Sequence, residues 1–555
     1  MPTLPAAVSL RAVISGVVLA VVLCAVNSYL TLSFGVIEEG PTIAALFFFT
    51  FFFLSTRKIT STEMVMVATM GSAGGSLGFI SNFFAARVMV GEPMVFWEMV
   101  SFSTVTSLLG MCFVIPLREL LIVRENLPWP GSRATEGVIR ALVEDGDPQQ
   151  PKILLVTVAV AMAAVLLNND GGFGLLPAET HLNILGLGAY GAAIAWAPFA
   201  IGGAYFMGWR TCVGFLVGGL LLFGFAPFAE NPAAPQRYVW PGIGFLVASG
   251  LTGLALQGRV VLSALTSILK LGGGGDGEAD ADAVLSPRGF KILLAVAVLV
   301  TGAYAGLGLD LNVIVVLGLI IVGGLVQNVI ATRAAAQTAF NPARVMGILL
   351  QGVSAAAGAA TPGANLIGAG VVAGSGAQAG NLTGDMAYGQ WFSVPARWQF
   401  WGQAITILPC ALVSAWVFEQ VRATSGLSLD GEGLAAPVAK MWAASSLVFA
   451  GKSPMPETAM PHLIGGAVAG ILWVLAESRP ALERWLPAST GVGLGLVLAP
   501  SLDFGFFIGG VLFFGLLSRV LKIRDLTLST IAVGCIVAEG FGGILKPVFV
   551  MLGIL

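Results

Sequence analysis

Apolar runs about as long as a membrane is thick recur along the whole chain, set apart by short polar connections. The first, Val13 to Leu32, continues past Asn27 without a small-residue cleavage site, so it reads as a membrane span and not as a removed signal peptide. Further spans are predicted over 152–167, 183–208, 211–227 and 241–257, then from Phe290, from Leu311, and from Phe400 to Phe418. Two stretches break this regularity. The run entering at Met64 dissolves into MGSAGGSLGFISNFF, and Thr361 to Gln403 reads TPGANLIGAGVVAGSGAQAGNLTGDMAYGQWFSVPARWQFWGQ.

The second stretch is apolar enough for a membrane yet carries Pro362, many glycines, several amides, Asp385 and Arg397. It predicts a helix broken at membrane depth. A backbone group freed in hydrocarbon costs several kcal/mol unless protein or a water-filled cavity satisfies it, so such a break must face an interior. Half-helix ends near the midplane offer unpaired N–H and C=O groups to a solute, the arrangement of secondary transporters. For any single glycine the alternative is a packing seam where helices approach closely.

Composition fixes the class. Of the 555 residues 57% are hydrophobic and only 10% charged, against about 25% charged in globular domains; the mean hydropathy is +0.91. The expectation is an all-α polytopic membrane protein of about 16 transmembrane helices, with broken or re-entrant helices near the midplane. The net charge of -2 says little, because the placement of Lys and Arg matters more in a membrane than their sum. No nucleic-acid face is visible. The five cysteines lie far apart in apolar runs, and His181 and His462 are the only histidines, so no cofactor is expected and no site for a bare transition metal. A metal in transit would travel chelated.

Lys and Arg placement predicts orientation. Arg57 and Lys58, the loop of Arg118, Arg124, Arg133, Arg140 and Lys152, and the flanks Lys270, Arg288 and Lys291 put the N-terminus and residues 55–62, 117–152 and 258–289 in the cytoplasm. Residues 168–181, with acids and no base, face outward. The loop of 117–152 holds a short amphipathic helix, read as solvated. Beyond Phe418 this parity fails at RVLKIRD (519–525), so one of the runs 345–380, 438–456 or 487–502 is re-entrant, preferably the first or second. Residues 271–288, LGGGGDGEADADAVLSPR, form a linker dividing an N-terminal half (1–270) from a C-terminal half (289–555). The halves echo each other. At an offset of 291, residues 202–224 match 493–515 at eight positions, among them Gly214/Gly505, Phe215/Phe506, Gly218/Gly509 and Gly219/Gly510. The Gly/Ser interruption at 71–78 recurs near 370–380, so two duplicated halves are predicted, with 64–84 the partner of 361–403.

Acids inside apolar runs are candidates for proton traffic, because a charge there is costly unless it faces the bundle interior. Glu98, Asp385 and Glu539 qualify. Glu539 leads, being about midway along the run from Ile531 and two helical turns from Lys546; its alternative role is a protonated acid that only bonds helices together. Asp385 and Arg397 are expected to pair, since unpaired charges at depth are expensive.

The run Gln378, Ala379, Asn381, Asp385, Met386, Gly389, Arg397, Gln399, Phe400, Gly402, Gln403 resembles the signature of the oligopeptide transporter (OPT) family, which includes the yellow-stripe-like metal-chelate carriers. Asn381 stands where that pattern has an aspartate, Ala387 where it has a lysine, and Pro395 is shifted by one place. The segments Glu125–Ala134, Trp485–Pro500 and Ile531–Leu545 are similar to other family motifs, so the resemblance reaches both halves. It implies proton-coupled uptake of small peptides, modified peptides or metal chelates. The residues expected to line or brace the substrate site are Asn365, Gln378, Asn381, Asp385, Arg397, Gln399 and Gln403. Expected partners are the cargo, protons and membrane lipid; a homo-oligomer is left open. The location implied is the plasma (inner) membrane. The competing readings are a channel for a small solute, poorly matched by a long duplicated chain, and a membrane enzyme, for which no catalytic constellation is visible. No G-x-x-x-x-G-K-[ST] loop is present to bind ATP.

Overall fold

The computed structural model describes residues 8–551 apart from 36–39, 54–57, 146–148, 169–173, 184–185, 230, 257, 260–283, 286, 309–310, 339–342, 360, 430–432 and 453–458. Most of the predicted linker, together with Glu38, Glu39 and Arg57, lies outside the described residues, as does the side chain of Lys546. The first half runs α1 (Leu10–Phe34), α2 (Gly40–Phe52), α3 (Ser61–Phe79), α4 (Ser81–Met89), α5 (Phe96–Arg118), α6 (Pro130–Arg140), α7 (Gln149–Leu167), β1 (Glu179–His181), β2 (Ala193–Ala195), α8 (Pro198–Met207), α9 (Trp209–Leu222) and α10 (Trp240–Leu256). The second runs α11 (Pro287–Ala303), α12 (Val313–Gly318), α13 (Gln327–Thr338), α14 (Ala343–Ala356), α15 (Pro362–Val371), α16 (Ala377–Trp391), α17 (Ala396–Ser425), α18 (Pro437–Phe449), α19 (Ala459–Glu477), α20 (Pro480–Glu483), α21 (Ser489–Gly495), α22 (Pro500–Gly510) and α23 (Asp525–Met551).

Eleven helical stretches among the described residues are long and apolar enough to cross a membrane. The chain is an integral, multi-pass, all-α membrane protein. The span expected over 183–208 is absent as such: β1 and β2 form a short antiparallel ribbon, Glu179 opposite Ala195, and among the described residues only the ten of α8 are α-helical, with a 3-10 turn at Leu187–Tyr190. Its glycines and the Ala197–Pro198 step favour turns and a helix start at Pro198, whose missing N–H costs nothing at the first helical position. The 13 residues of α18 fall short of the about 20 that cross a bilayer.

The bundle is organised around α3. The apolar window of α3 and α4 is wholly buried, whereas 11% of that of α11 and 17% of that of α19 are, as lipid-facing helices require. Small residues put α3 there: a Cβ on Gly74 would sit 2.7 Å from the Cys24 backbone nitrogen, so α1 and α3 touch along their backbones.

The helix break expected at the glycines of 361–403 is not found; the interruption within the stretch is the turn of 392–395, where Ser393 takes a left-handed φ of 56°. From Pro362 to Trp391 the chain stays helical, passing from α15 to α16 through a π-turn at Val372–Gly376. The glycines serve close approach instead: a Cβ on Gly368 would lie 2.7 Å from the Leu350 backbone carbonyl, one on Gly370 2.7 Å from the Phe102 ring, and Gly374 abuts Thr106. The π-turn takes up the extra residue without opening the helix. Beyond it, the predicted partnership with 64–84 is met in contacts, because α16 and α17 both bond to α3.

Some local details recur between the earlier and later parts of the chain. Trp129 and Ala436 adopt left-handed backbone (φ 45° and 38°), each directly before the proline that starts α6 or α18. Phe215 and Phe506, paired at the offset of 291, stack with centroids 4.3 Å apart and rings 12° from parallel. Gly214 packs on Gly491 and Gly218 on Gly495 where α9 crosses α21.

Candidate functional site

The signature residues form a closed polar seam between α3, α16 and α17. Asn381 donates to Ser76 Oγ at 2.8 Å; Gln399 donates to Thr69 Oγ1 at 2.9 Å and to the Asp385 carbonyl at 2.7 Å; Gln403 donates to the Thr69 carbonyl at 3.1 Å. Asp385 is 3% exposed and its Oδ1 accepts from the Tyr388 hydroxyl at 3.0 Å. The expected Asp385–Arg397 pair is not formed: Arg397 is exposed in the first turn of α17, and the tyrosine hydroxyl meets the acid instead. Gln378 and Asn365 are fully buried, and both polar atoms of each amide lack a hydrogen-bond partner within the protein.

Helix α6, expected as a solvated loop helix, caps this seam. Ser132, Thr135, Glu136 and Ile139 are buried. Ser132 donates to the Gly384 carbonyl at 2.7 Å, and the Arg133 guanidinium lies 3.5 Å from the Trp391 ring centroid. The segment before it is anchored too, by Arg333–Glu125 at 2.7 Å and by Trp129 N donating to the Ala336 carbonyl at 2.8 Å. Its amphipathic pattern marked an interface, but pattern alone does not distinguish water from protein as the occupant of the polar side.

A cavity of about 500 Å³ opens elsewhere, among the ends of α1, α7 and α17, the starts of α18 and α22, and the middle of α23. Glu539 lines it, 8% exposed, with its Oε2 3.4 Å from the Phe199 backbone N–H at the start of α8. Lys440, 5% exposed, lines it from α18, and Arg237 and Glu179 stand on its wall. Ser501 donates to Glu179 Oε1 at 2.5 Å. Tyr29 and Ser33 of α1 line it as well; Ser33 is 6% exposed and its hydroxyl has no hydrogen-bond partner. Two acids, two bases and several hydroxyls and amides thus share one chamber. The size lies in the range of small-ligand sites, about 300–1,000 Å³.

Of the sequence-predicted residues only Glu539 reaches this chamber; Gln378, Asn381, Asp385, Gln399 and Gln403 lie on the helices of the seam, and Asn365 is buried on α15 outside it. Glu98 is neither in the chamber nor in the interior. It is exposed in the first turn of α5, where its Oε2 accepts from the Val95 N–H at 3.0 Å, because an acid three residues past a helix start is drawn back to the free backbone donor there. Lys440, Arg237, Glu179 and Ser33 were missed. Lys440 alone left a signal, a base seven residues inside the apolar run 434–449.

A family model described as OPT oligopeptide transporter protein matches residues 7–267 and 279–550, nearly the whole chain. The chain belongs to the OPT family. It is 26% identical over 172 residues to a protein of Haemophilus influenzae (strain ATCC 51907 / DSM 11121 / KW20 / Rd) provisionally named an oligopeptide transporter, covering 30% of this chain and 26% of that relative. It is 28% identical over 157 residues to a provisionally named oligopeptide transporter of Saccharomyces cerevisiae (strain ATCC 204508 / S288c), covering 24% of this chain and 22% of that relative. The aligned stretches thus span about a quarter of each relative's length.

Proposed function

We propose that this OPT-family protein is a secondary transporter that couples proton entry to uptake of small peptides or peptide-like solutes, metal chelates included, across the plasma membrane. The observation that carries the reading is the 500 Å³ chamber in which Lys440 and Arg237 face Glu539 and Glu179 across hydroxyl and amide groups. A peptide offers a carboxylate, an ammonium and amides, and a chamber with both signs of charge accepts all three; a carboxylate-rich metal chelate makes similar demands of the bases. Burial strengthens each such contact, because a charge-assisted hydrogen bond out of water is about twice as strong as a neutral one. Glu539, which lines the chamber and stands mid-helix in α23, is the proton carrier named first by position.

The seam supplies the closed side of the route. With the N-terminus and α6 in the cytoplasm and residues 168–181 outside, the chamber opens outward past Asn168 and Glu179, while the Asp385 seam and α6 shut the inner side. A cysteine placed at Thr180 in a cysteine-free background should react with an impermeant reagent added to intact cells, and one at Arg140 should not. The opposite pattern would invert the orientation.

The function is tested on purified protein by thermal stabilisation against a panel of di- and tripeptides and ferric chelates, then by uptake of the hits into proteoliposomes. A ligand at 100 times its Kd stabilises the fold by about 2.7 kcal/mol. Stabilisation by another solute class alone would remove the cargo assignment, and uptake indifferent to a proton gradient would remove the coupling.

A further inference from the structure

The most deeply buried acid in the crossing of the two halves is one that neither the chamber nor the seam uses. Asp503, four residues into α22 from its Ala499 cap, is 0% exposed, and neither carboxylate oxygen has a hydrogen-bond partner. It sits where α22 crosses α9. A Cβ on Gly219 would lie 2.8 Å from Asp503 Oδ2, so the carboxyl group occupies the space that this glycine leaves.

The molecule contains its own control for this position. At the offset of 291 the counterpart of Asp503 is Cys212, and that of Gly219 is Gly510. The structure repeats the contact with the halves exchanged: a Cβ on Gly510 would lie 2.8 Å from Cys212 Cβ. So one crossing is built twice, once with a neutral thiol that donates to the Ala204 carbonyl at 3.4 Å and once with an unpartnered acid. Packing alone is satisfied by a small neutral residue, as Cys212 demonstrates. An acid in the same place is far more costly as an ion than as a protonated carboxyl, and even the protonated form goes without a partner there.

No opposite charge stands by to hold the ion. On the elements packed against α22, the titratable and charged groups are Tyr205 on α8, Arg210 and Cys212 on α9, none on β2, and Arg519 on the π-turn that follows α22. The Tyr205 hydroxyl donates to Asp525 Oδ1 at 2.7 Å, Arg210 pairs with Glu477 and Glu483, and Arg519 is exposed. Meanwhile the same turn of α22 opens on the chamber: Ala499, Ser501 and Leu502 line it, and Ser501 holds Glu179. Asp503 is therefore one residue from the chamber wall but turned into the crossing, and a small rotation or withdrawal of α22 would present it to water.

We infer that Asp503 carries a transported proton: it holds the proton in the arrangement described, where α9 and α22 are closed on each other, and gains or gives it up when they part. One O–H bond forms on a carboxylate oxygen with a proton taken from the outer side, and the same bond breaks with the proton released inward; nothing else is consumed. The inference rests on the transporter reading above and adds to it a second acid, placed at the crossing and not in the chamber.

The test compares the wild type with Asp503→Asn and Asp503→Cys, the second restoring the residue that packs at the equivalent crossing. Uptake of radiolabelled dialanine is measured in proteoliposomes with and without an inward proton gradient, together with exchange between equal pools. Both variants are expected to keep exchange and lose the gradient's several-fold acceleration of uptake. A carboxylic C=O stretch present in the infrared spectrum of the wild type should be missing from both variants in a difference spectrum, a readout that needs no cargo. Full response to the gradient in either folded variant, or an unchanged C=O band, overturns the assignment. If the wild type itself ignores the gradient, the coupling reading falls, and the infrared band still decides whether Asp503 holds a proton.

Discussion

The seam and the chamber differ in the kind of polarity they hold. The seam pairs amides and hydroxyls tightly between helices brought together by glycine, and its one acid, Asp385, is met by Tyr388. The chamber is wider and charged, with its bases and acids drawn from several separate helices. Distinctive sequence marks the first and scattered residues make the second. The difference suggests that the signature stretch shapes how the bundle closes, while cargo chemistry is set by the chamber.

The comparison breaks most visibly where the signature stretch, just before the seam, relies on close approach. Gly368→Val should be the most damaging substitution, because the Leu350 backbone carbonyl, 2.7 Å from where a Cβ would stand, cannot give way as a side chain could. Overpacking of this kind costs about 3 kcal/mol or more where backbone must shift. The expected outcome is loss of monodisperse protein in size-exclusion chromatography, or a Tm lowered by many degrees. A variant that melts like the wild type would mean that α14 and α15 do not pack as described.

The chamber should respond in binding and not in folding. Lys440→Met removes a charge-assisted contact worth about 1.5–3 kcal/mol, so affinity for a carboxylate-bearing cargo should fall about 10- to 100-fold. Isothermal titration with the ligands that stabilise the wild type measures it. An unchanged Kd would place the cargo carboxylate elsewhere.

How much of this was legible beforehand follows the same division. Apolar run length announced the spans and the motif around Asp385 and Gln403 announced the family, because both signals are local in sequence; the pairing with 64–84 came from the recurrence of the Gly/Ser interruption at 71–78 near 370–380. The glycine run was ambiguous in principle: a helix break and a helix seam use the same residue, and only the neighbours Phe102, Thr106 and Leu350 decide for the seam. The chamber could not be read at all. Ser33, Glu179, Lys440 and Glu539 are far apart in the chain, and no periodicity connects them. Asp503 was hidden differently, since its significance comes from the contrast with Cys212 across the crossing and not from its own surroundings in sequence.

A smaller effect sharpens the role of the seam. Both polar atoms of the Gln378 amide are buried without a partner in the protein, and such a group costs about 1–3 kcal/mol. Gln378→Leu should therefore raise the Tm by a few degrees. If the seam opens to water during the cycle, the same change slows uptake, since leucine cannot be hydrated there. A higher Tm with unaltered uptake would mark Gln378 as a passive packing residue.

The smallest effect belongs to Glu98, and its smallness is informative. Its carboxylate is exposed and accepts from the Val95 N–H at 3.0 Å, a bond that a glutamine oxygen can also accept. Glu98→Gln therefore removes the interaction of a negative charge with the start of α5, about 0.3–1 kcal/mol in a solvent-exposed turn, and a lesser attraction to Arg87, which Glu92 faces more closely. The neighbouring Tyr304 hydroxyl donates to the Glu98 backbone carbonyl at 3.2 Å, which the substitution leaves in place. Stability, exchange and the acceleration of uptake by a proton gradient should all stay close to wild type. An acid that water always reaches cannot alternate between the two sides, so a Glu98→Gln protein that loses its response to the gradient would show that exposure in this arrangement does not predict who carries the proton, and the contrast with Glu539 and Asp503 would fall with it.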